Sequence, residues 1–430
     1  MSRPRVEQLL QRLRAALDGQ EDLRGHALNL IASQNFMSPM ARAALSSAFA
    51  DKIAAGAIGH RGHLGAMHVD ELETTVLDAA EDLYGTRHVE YRLMSGAAAN
   101  QMAILAMMPA GATLLVMPKA ASGDPSVRER GYPRWLGAPI VDLPFDYAAM
   151  NVDLDEFRQA LRHHRPAWVI VGGSRPLFPY PIAAMRAEAT AVGARILYDG
   201  AHILGLWAGG EFQDPLAEGA DMVTGSTQKT LPGPVGGLLL TRDPEIAQRV
   251  GELCDDVLSN YNNARVAALA VTLCEMMAFG REYATAIVAN ARGLGAALAD
   301  EGFAVVGADR GFTASHQVLM LTARCRVPNP GKVLESAGLL CTPVRLVTVR
   351  GGAPQPGLRL GTSEVTRRGM AAPEMKVAAS LMGRLLLHAE PPSAAAGDIR
   401  ELATQFSTAR YTFSCSGDAG TKGWIWPGSA

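Results

Sequence analysis

Arg195-Ile196-Leu197-Tyr198-Asp199-Gly200-Ala201-His202 is a short apolar run that ends in a carboxylate, a glycine and a histidine. An apolar run of this length, closed by a Gly-containing turn, is the mark of a strand buried on both faces. Similar runs flank it: 112–117, 139–143 and 167–171 before it, 221–224 and 236–241 after it. Helical patterns lie between several of them, at 154–163 and 183–191. Strands alternating with helices predict an α/β fold with a mostly parallel sheet flanked by helices. Such a sheet binds ligands beyond the carboxyl ends of its strands. Functional residues are therefore expected just after the apolar runs.

Further out, Leu9, Leu10, Leu13 and Leu17 recur at helical spacing and predict an amphipathic helix over 6–17. Residues 51–70 are rich in glycine and histidine and read as an ordered loop, followed by a helix over 71–84. The second half carries helical patterns at 263–278 and 281–301, strands at 304–307 and 317–322, and a Gly/Pro-rich stretch at 351–357. A strand at 358–361 and a helix at 372–388 follow. This half predicts a smaller α+β C-terminal domain. The expected organisation is a helical arm 1–30, a large domain 31–285, a small domain 286–413 and a loosely ordered tail 414–430 with Trp424 and Trp426.

Composition excludes several function classes. A formal net charge of −2 over 430 residues offers no electrostatic footprint for nucleic acid or an anionic membrane. Five scattered cysteines without CxxC spacing read as reduced thiols, neither disulfides nor a zinc site. The N-terminus lacks the apolar core of a signal peptide. No apolar run approaches the roughly 20 residues that span a bilayer. A cytoplasmic protein without a metal is expected.

Four motifs fall where ligands should bind. Ser95-Gly96-Ala97-Ala98-Ala99-Asn100 opens a helix, where free N–H groups and the dipole favour an anion. Asp199 ends a buried strand. Under a cationic pyridine nitrogen it would hold the proton there, an attraction of about 4 kcal/mol at 4 Å and an effective dielectric near 20. Lys229, in Thr224-Gly225-Ser226-Thr227-Gln228-Lys229-Thr230-Leu231-Pro232-Gly233-Pro234, lies between two apolar runs. A lysine in such surroundings loses its proton readily and forms imines. Arg359, in Leu358-Arg359-Leu360-Gly361-Thr362, is suited to gripping a carboxylate. Each motif alone also has an ordinary structural reading: an N-cap, a capping aspartate, a surface lysine, an ion-paired arginine.

In this order, and with Leu30-Ile31-Ala32-Ser33-Gln34-Asn35-Phe36, the motifs resemble serine hydroxymethyltransferase, a family of fold-type-I pyridoxal-phosphate transferases. The likeness runs from about residue 28 to about residue 413. It implies pyridoxal 5′-phosphate as cofactor, with Lys229 as its Schiff-base lysine and Asp199 as partner of the pyridine nitrogen. Ala201 would pack on one ring face, with Ser174 and His202 on the ring-oxygen side and Gln228 beside the lysine. Ser95, Gly96 and Ala97 would hold the phosphate. Arg359, helped by Ser33, would bind the carboxylate of a small amino acid. A homodimer or homotetramer with sites at the subunit interface is also implied.

The chain departs from the family pattern in the 51–70 loop. Ile53 and Ala55 stand where folate-using members carry tyrosine and glutamate, and Gly62 and His63 where they carry a tyrosine pair. Asp124 falls at the ring-stacking histidine, Gln228 at the histidine before the lysine, and Asn260–Asn263 at a glycine pair. Other features are similar to L-threonine transaldolases: the Lys229 loop, Phe279-Gly280-Arg281-Glu282-Tyr283-Ala284, Gly311-Phe312-Thr313 with His316-Gln317, and Thr366-Arg367-Arg368-Gly369-Met370. The expected reaction is aldol chemistry at the Cα of glycine, serine or threonine, without folate and with an aldehyde as second substrate. His63 is the expected acid/base, because imidazole titrates near neutral pH; a solvated loop histidine is the alternative. Three rival readings stay open: folate-dependent hydroxymethyl transfer, racemisation or decarboxylation on the same cofactor, and a degenerate cofactor-binding subunit.

Overall fold

A computed structural model describes residues 3–258 and 260–414. Seven strands form the central sheet: β1 (Val89–Glu90), β2 (Leu114–Val116), β3 (Ile140–Asp142), β4 (Trp168–Gly172), β5 (Arg195–Asp199), β6 (Met222–Ser226) and β7 (Gly237–Thr241). Their order is β1-β7-β6-β5-β4-β2-β3. Strands β3, β2, β4, β5 and β6 run parallel; β7 is antiparallel to β6 and β1. The sheet is thus mostly parallel, as the alternation predicts. β7 reverses because only residues 227–236 separate it from β6, and a parallel crossover needs about a dozen residues or more.

Side chains alternate between the two faces. Val169, Val171, Ile196 and Tyr198 enter one core, and Trp168, Ile170 and Leu197 the other. Burial on both faces is why these strands read as continuous apolar runs. Asp199 stands opposite Gly172 on β4 and Thr224 on β6, so three parallel strands end together. The 227–236 segment leaves and returns at that same edge because β7 is antiparallel. Gly172 and Gly173 have φ of 98° and 127°. A Cβ on Gly172 would lie 2.3 Å from the Asp199 carbonyl oxygen, and one on Gly173 2.4 Å from that of Ser122. Only glycine fits this turn, which delivers Ser174 to the strand ends.

A second, antiparallel sheet follows: β8 (Ala304–Val305), β9 (Gln317–Leu321), β10 (Thr342–Leu346) and β11 (Gln355–Gly361), in the order β8-β9-β11-β10. With its helices it forms the smaller α+β unit. Leu28 and Leu30 join its core beside Leu298, Leu358 and Leu360.

Four helices matter below: α1 (Arg3–His26), α2 (Met67–Tyr84), α3 (Gly96–Met107) and α4 (Asn263–Asp300). α1 is longer than the periodicity predicts, and its stripe is largely open among the described residues: Leu9, Leu10, Leu13 and Leu17 are 42–60% exposed. α2 starts at Met67, four residues before the expected 71. α4 is one 38-residue helix where the sequence predicts two segments. Gly280 does not break it. Instead it admits a close neighbour: a Cβ on Gly209 would lie 2.4 Å from the Gly280 carbonyl oxygen. The expected domain boundary at 285 falls inside this helix. The 51–70 loop holds a two-strand hairpin, Gly56–Ala57 with His60–Arg61. Arg61 pins it to Asp70 at 2.7 Å, and also bonds to Glu73 and Tyr261. Among the described residues no helix is long and apolar enough to cross a membrane. Beyond Ser414 the expected tail lies outside the described residues.

Candidate active site

Asp199 is buried at the end of β5. Its carboxylate accepts from the Ala201 N–H at 3.1 Å and from Asn100 Nδ2 at 3.0 Å. Burial raises its pKa, as does the charge of Asp124, while Asn100, Lys229 and the Ala201 N–H oppose the rise. Asn100 is held on all sides. Its Nδ2 also donates to Ser126 Oγ at 3.1 Å, and its Oδ1 accepts from Thr224. Ser126 Oγ in turn donates to Asp124 at 2.6 Å. Asn100 cannot flip without turning its oxygen on a carboxylate, so the orientation of Asp199 is built in. The sequence reading quoted Asn100 but gave it no role. The available signal was an asparagine on an alanine-rich helix, a polar group that needs partners once buried.

Lys229 lies beyond the end of β6. Its backbone carbonyl accepts from Asn35 Nδ2, and Asn35 also bonds to Tyr283 Oη at 2.9 Å. The 30–36 segment therefore clamps the lysine loop. The Lys229 ammonium makes no ion pair among the described residues. Burial pushes it down to about 8; Arg359 acts in the same direction and the Asp199 and Asp124 charges against it. A sizeable share of this amine is thus neutral near pH 8.

Arg359 enters from β11 of the small sheet. Its Nη1 donates to the Ser174 carbonyl at 2.9 Å. Its Nε is buried without a partner, and burial lowers it to about 10. Ser174 also bonds to the Ser122 carbonyl through its N–H at 3.1 Å. Ser33, Asn35 and Gln228 line one cavity. Gln228 Oε1 is buried without a partner. His202 is buried against His316, a residue the sequence reading assigned no role: the ring centroids are 5.3 Å apart and the ring planes nearly parallel.

Ser95 caps α3 and accepts from the Ala98 N–H at 3.1 Å; the Ala99 N–H goes to the Ser95 carbonyl at 3.0 Å. That leaves the Gly96 and Ala97 N–H groups as free donors of the first turn. A Cβ on Gly96 would lie 2.3 Å from Ser226 Oγ, so glycine lets this helix end press onto the end of β6. Ala201 follows Asp199 directly. These residues fit pyridoxal phosphate. A carboxylate, a softened amine, free N–H groups at a helix start, and the unpartnered Arg359 Nε and Gln228 Oε1 converge on one strand edge.

The expected acid/base does not join them within one chain. His63 is exposed, as are His60 and His68. Among the described residues no group of three or more His, Cys, Asp or Glu side chains is gathered as metal ligands would be.

The chain matches the family model of serine hydroxymethyltransferase over residues 6–382. It is 38% identical over 412 residues to a serine hydroxymethyltransferase of Methanocella arvoryzae, covering 94% of this chain and 96% of the relative. It is 36% identical over 411 residues to that of Pyrococcus horikoshii, covering 92% and 95%. Its fold is similar to the crystal structure of L-threonine transaldolase from Pseudomonas fluorescens in the internal aldimine state. The TM-score is 0.83, with 27% identity and 95% of each chain covered.

Proposed function

The chain belongs to the serine hydroxymethyltransferase family of pyridoxal-phosphate enzymes, and from that premise we propose that it performs folate-independent aldol chemistry on a small amino acid. The observation that carries this reading is the 51–70 loop. Ala55 stands at the family's glutamate position, and the nearby carboxylates Asp70 and Glu73 are committed to Arg61. The likeness to a threonine transaldolase points the same way.

When bound, pyridoxal phosphate links covalently to an amine and its ring accepts the electron pair released at Cα. The chain's own residues do the rest. Lys229, softened to about 8, supplies the neutral amine that holds the cofactor. Asp199, oriented by Asn100, keeps a proton on the ring nitrogen. Ser95 and the free N–H groups of Gly96 and Ala97 hold the phosphate. Ala201 would pack on the ring, and Ser174, His202 and Gln228 would serve its polar rim. Arg359, with Ser33, would take the substrate carboxylate and so fix the orientation of the amino acid in the cleft. His63 moves the proton at the β-oxygen. Its exposed loop, with Ile53 and Leu64 also exposed, would reach the cleft of a second copy. We therefore propose a homodimer, or a tetramer of two such pairs, acting in the cytoplasm.

The test is turnover of threonine with an added aldehyde, with and without tetrahydrofolate. A new β-hydroxy amino acid formed at equal rates in both arms is expected. Strictly folate-dependent exchange of serine and glycine would favour the second reading, conventional hydroxymethyl transfer, which the names of the 36–38% identical relatives support.

A further inference from the structure

His316 sits where three segments meet. Its Nε2 lies 3.1 Å from the Ala32 carbonyl oxygen, next to Ser33. Its own carbonyl accepts from the Thr362 N–H at 3.0 Å, at the end of the Arg359 strand. The same Nε2 lies 3.2 Å from His202 Nδ1, and the two ring planes lie within 14° of parallel.

These contacts leave one consistent arrangement of protons. A carbonyl oxygen only accepts, so His316 Nε2 carries a hydrogen. His316 Nδ1 is buried without a partner, and a hydrogen there would be an orphaned donor. Burial pushes His316 down to about 3, with the charges of Arg359 and Lys229 acting in the same direction, so the ring is neutral. The one hydrogen on His316 Nε2 is then shared between the Ala32 carbonyl and His202 Nδ1, which can meet it only as an acceptor. His202 is itself held far below the usual imidazole range by burial, helped by Lys229, Arg359 and His316. Its single hydrogen then falls on Nε2, which has no partner among the described residues.

We propose that His316 is a positioning residue that locks His202 in its Nε2–H tautomer, so that His202 meets the cleft as a hydrogen-bond donor to an anionic oxygen and never as a base. The use of that donor rests on the reading of the site given above; the tautomer does not.

Ring-nitrogen NMR of the full, cofactor-loaded chain labelled with ¹⁵N-histidine tests it, with His202→Asn identifying the His202 signals. A protonated Nε2 and a bare Nδ1 are expected from about pH 6 to 9. His316→Leu should blur this into a mixture of tautomers and lower kcat by about 10–100-fold, the usual cost of removing an orienting partner. His316→Gln, whose amide offers two N–H groups at the place of Nε2, should restore both. A wild-type His202 protonated at Nδ1, or charged near neutral pH, overturns the proposal. So does an unchanged His202 spectrum in His316→Leu. If the leucine variant fails to fold, the wild-type spectrum and the glutamine variant still decide it. A correct tautomer in a protein that turns over no amino acid would sink the functional reading and leave this one standing.

Discussion

Lys229 and Asp199 show how a residue's chemistry is set by what surrounds it. Burial lowers the Lys229 ammonium to about 8, so the reactive neutral fraction grows as pH rises through about 8. Below that the rate of covalent cofactor capture should fall about tenfold per pH unit, read from the growth of visible absorbance after pyridoxal phosphate is added to the stripped protein. Lys229→Ala should bind the cofactor without a borohydride-reducible link. Asn100→Ala would remove one of the two N–H donors on the Asp199 carboxylate. A hydrogen bond to a charged group contributes about 1.5–3 kcal/mol, so the cofactor Kd should rise about 10–100-fold; an unchanged Kd in equilibrium dialysis would show that Ala201 suffices. Arg359→Ala should raise the amino-acid KM by a comparable factor while the cofactor stays bound, since its hydrogen bond goes to the Ser174 carbonyl and not to Asp199 or the start of α3. Lys229 and Asp199 were legible because each ends or follows an apolar run, and Arg359 because it interrupts one. Asn100 and His316 were not, because their roles depend on partners that lie 99 and 114 residues away in the chain.

The elements follow their local rules except where a neighbour overrides them. Six strands of the central sheet were legible as apolar runs, five of them buried and one, β3, at the sheet edge. Gly280 reads as a break, yet α4 continues through it because Gly209 packs there. The direction of β7 follows from the length of the loop before it and not from its own residues. Gly172 is the element-scale weak point. Alanine there would need positive φ and a Cβ 2.3 Å from a carbonyl oxygen. Gly172→Ala should cost about 1–3 kcal/mol and displace Ser174, visible as a lower Tm together with weaker cofactor binding. α1 presents the opposite case, a leucine stripe that stays largely exposed among the described residues. In the proposed homodimer this stripe is covered. Leu10→Glu with Leu13→Glu should then shift the species seen by light scattering towards monomer, and an unchanged mass would remove α1 from the interface.

At the scale of the whole molecule, the cleft is assembled from parts that no single stretch contains. The central sheet brings Asp199, Ser174 and Lys229 to one edge, the small sheet sends in Arg359, and the 30–36 segment ties to the Lys229 loop through Asn35. The exposed position of His63 makes its proposed part in catalysis a property of the assembly. His63→Phe should lower kcat by about 10²–10⁴ with cofactor binding intact, as for a lost acid/base. Equal rates in mutant and wild type would pass the proton to another group. The sequence by itself determined the mostly parallel sheet, because buried strands must be apolar, while the family and the cofactor came from the resemblance that its motifs carry. Only the tertiary structure decided how Asn100 orients Asp199, how His316 stands against His202, and which carboxylates near the 51–70 loop are already bound to Arg61. Hydrogen bonds of a few ångströms depend on side chains far apart in the chain, and a one-dimensional pattern does not carry that distance.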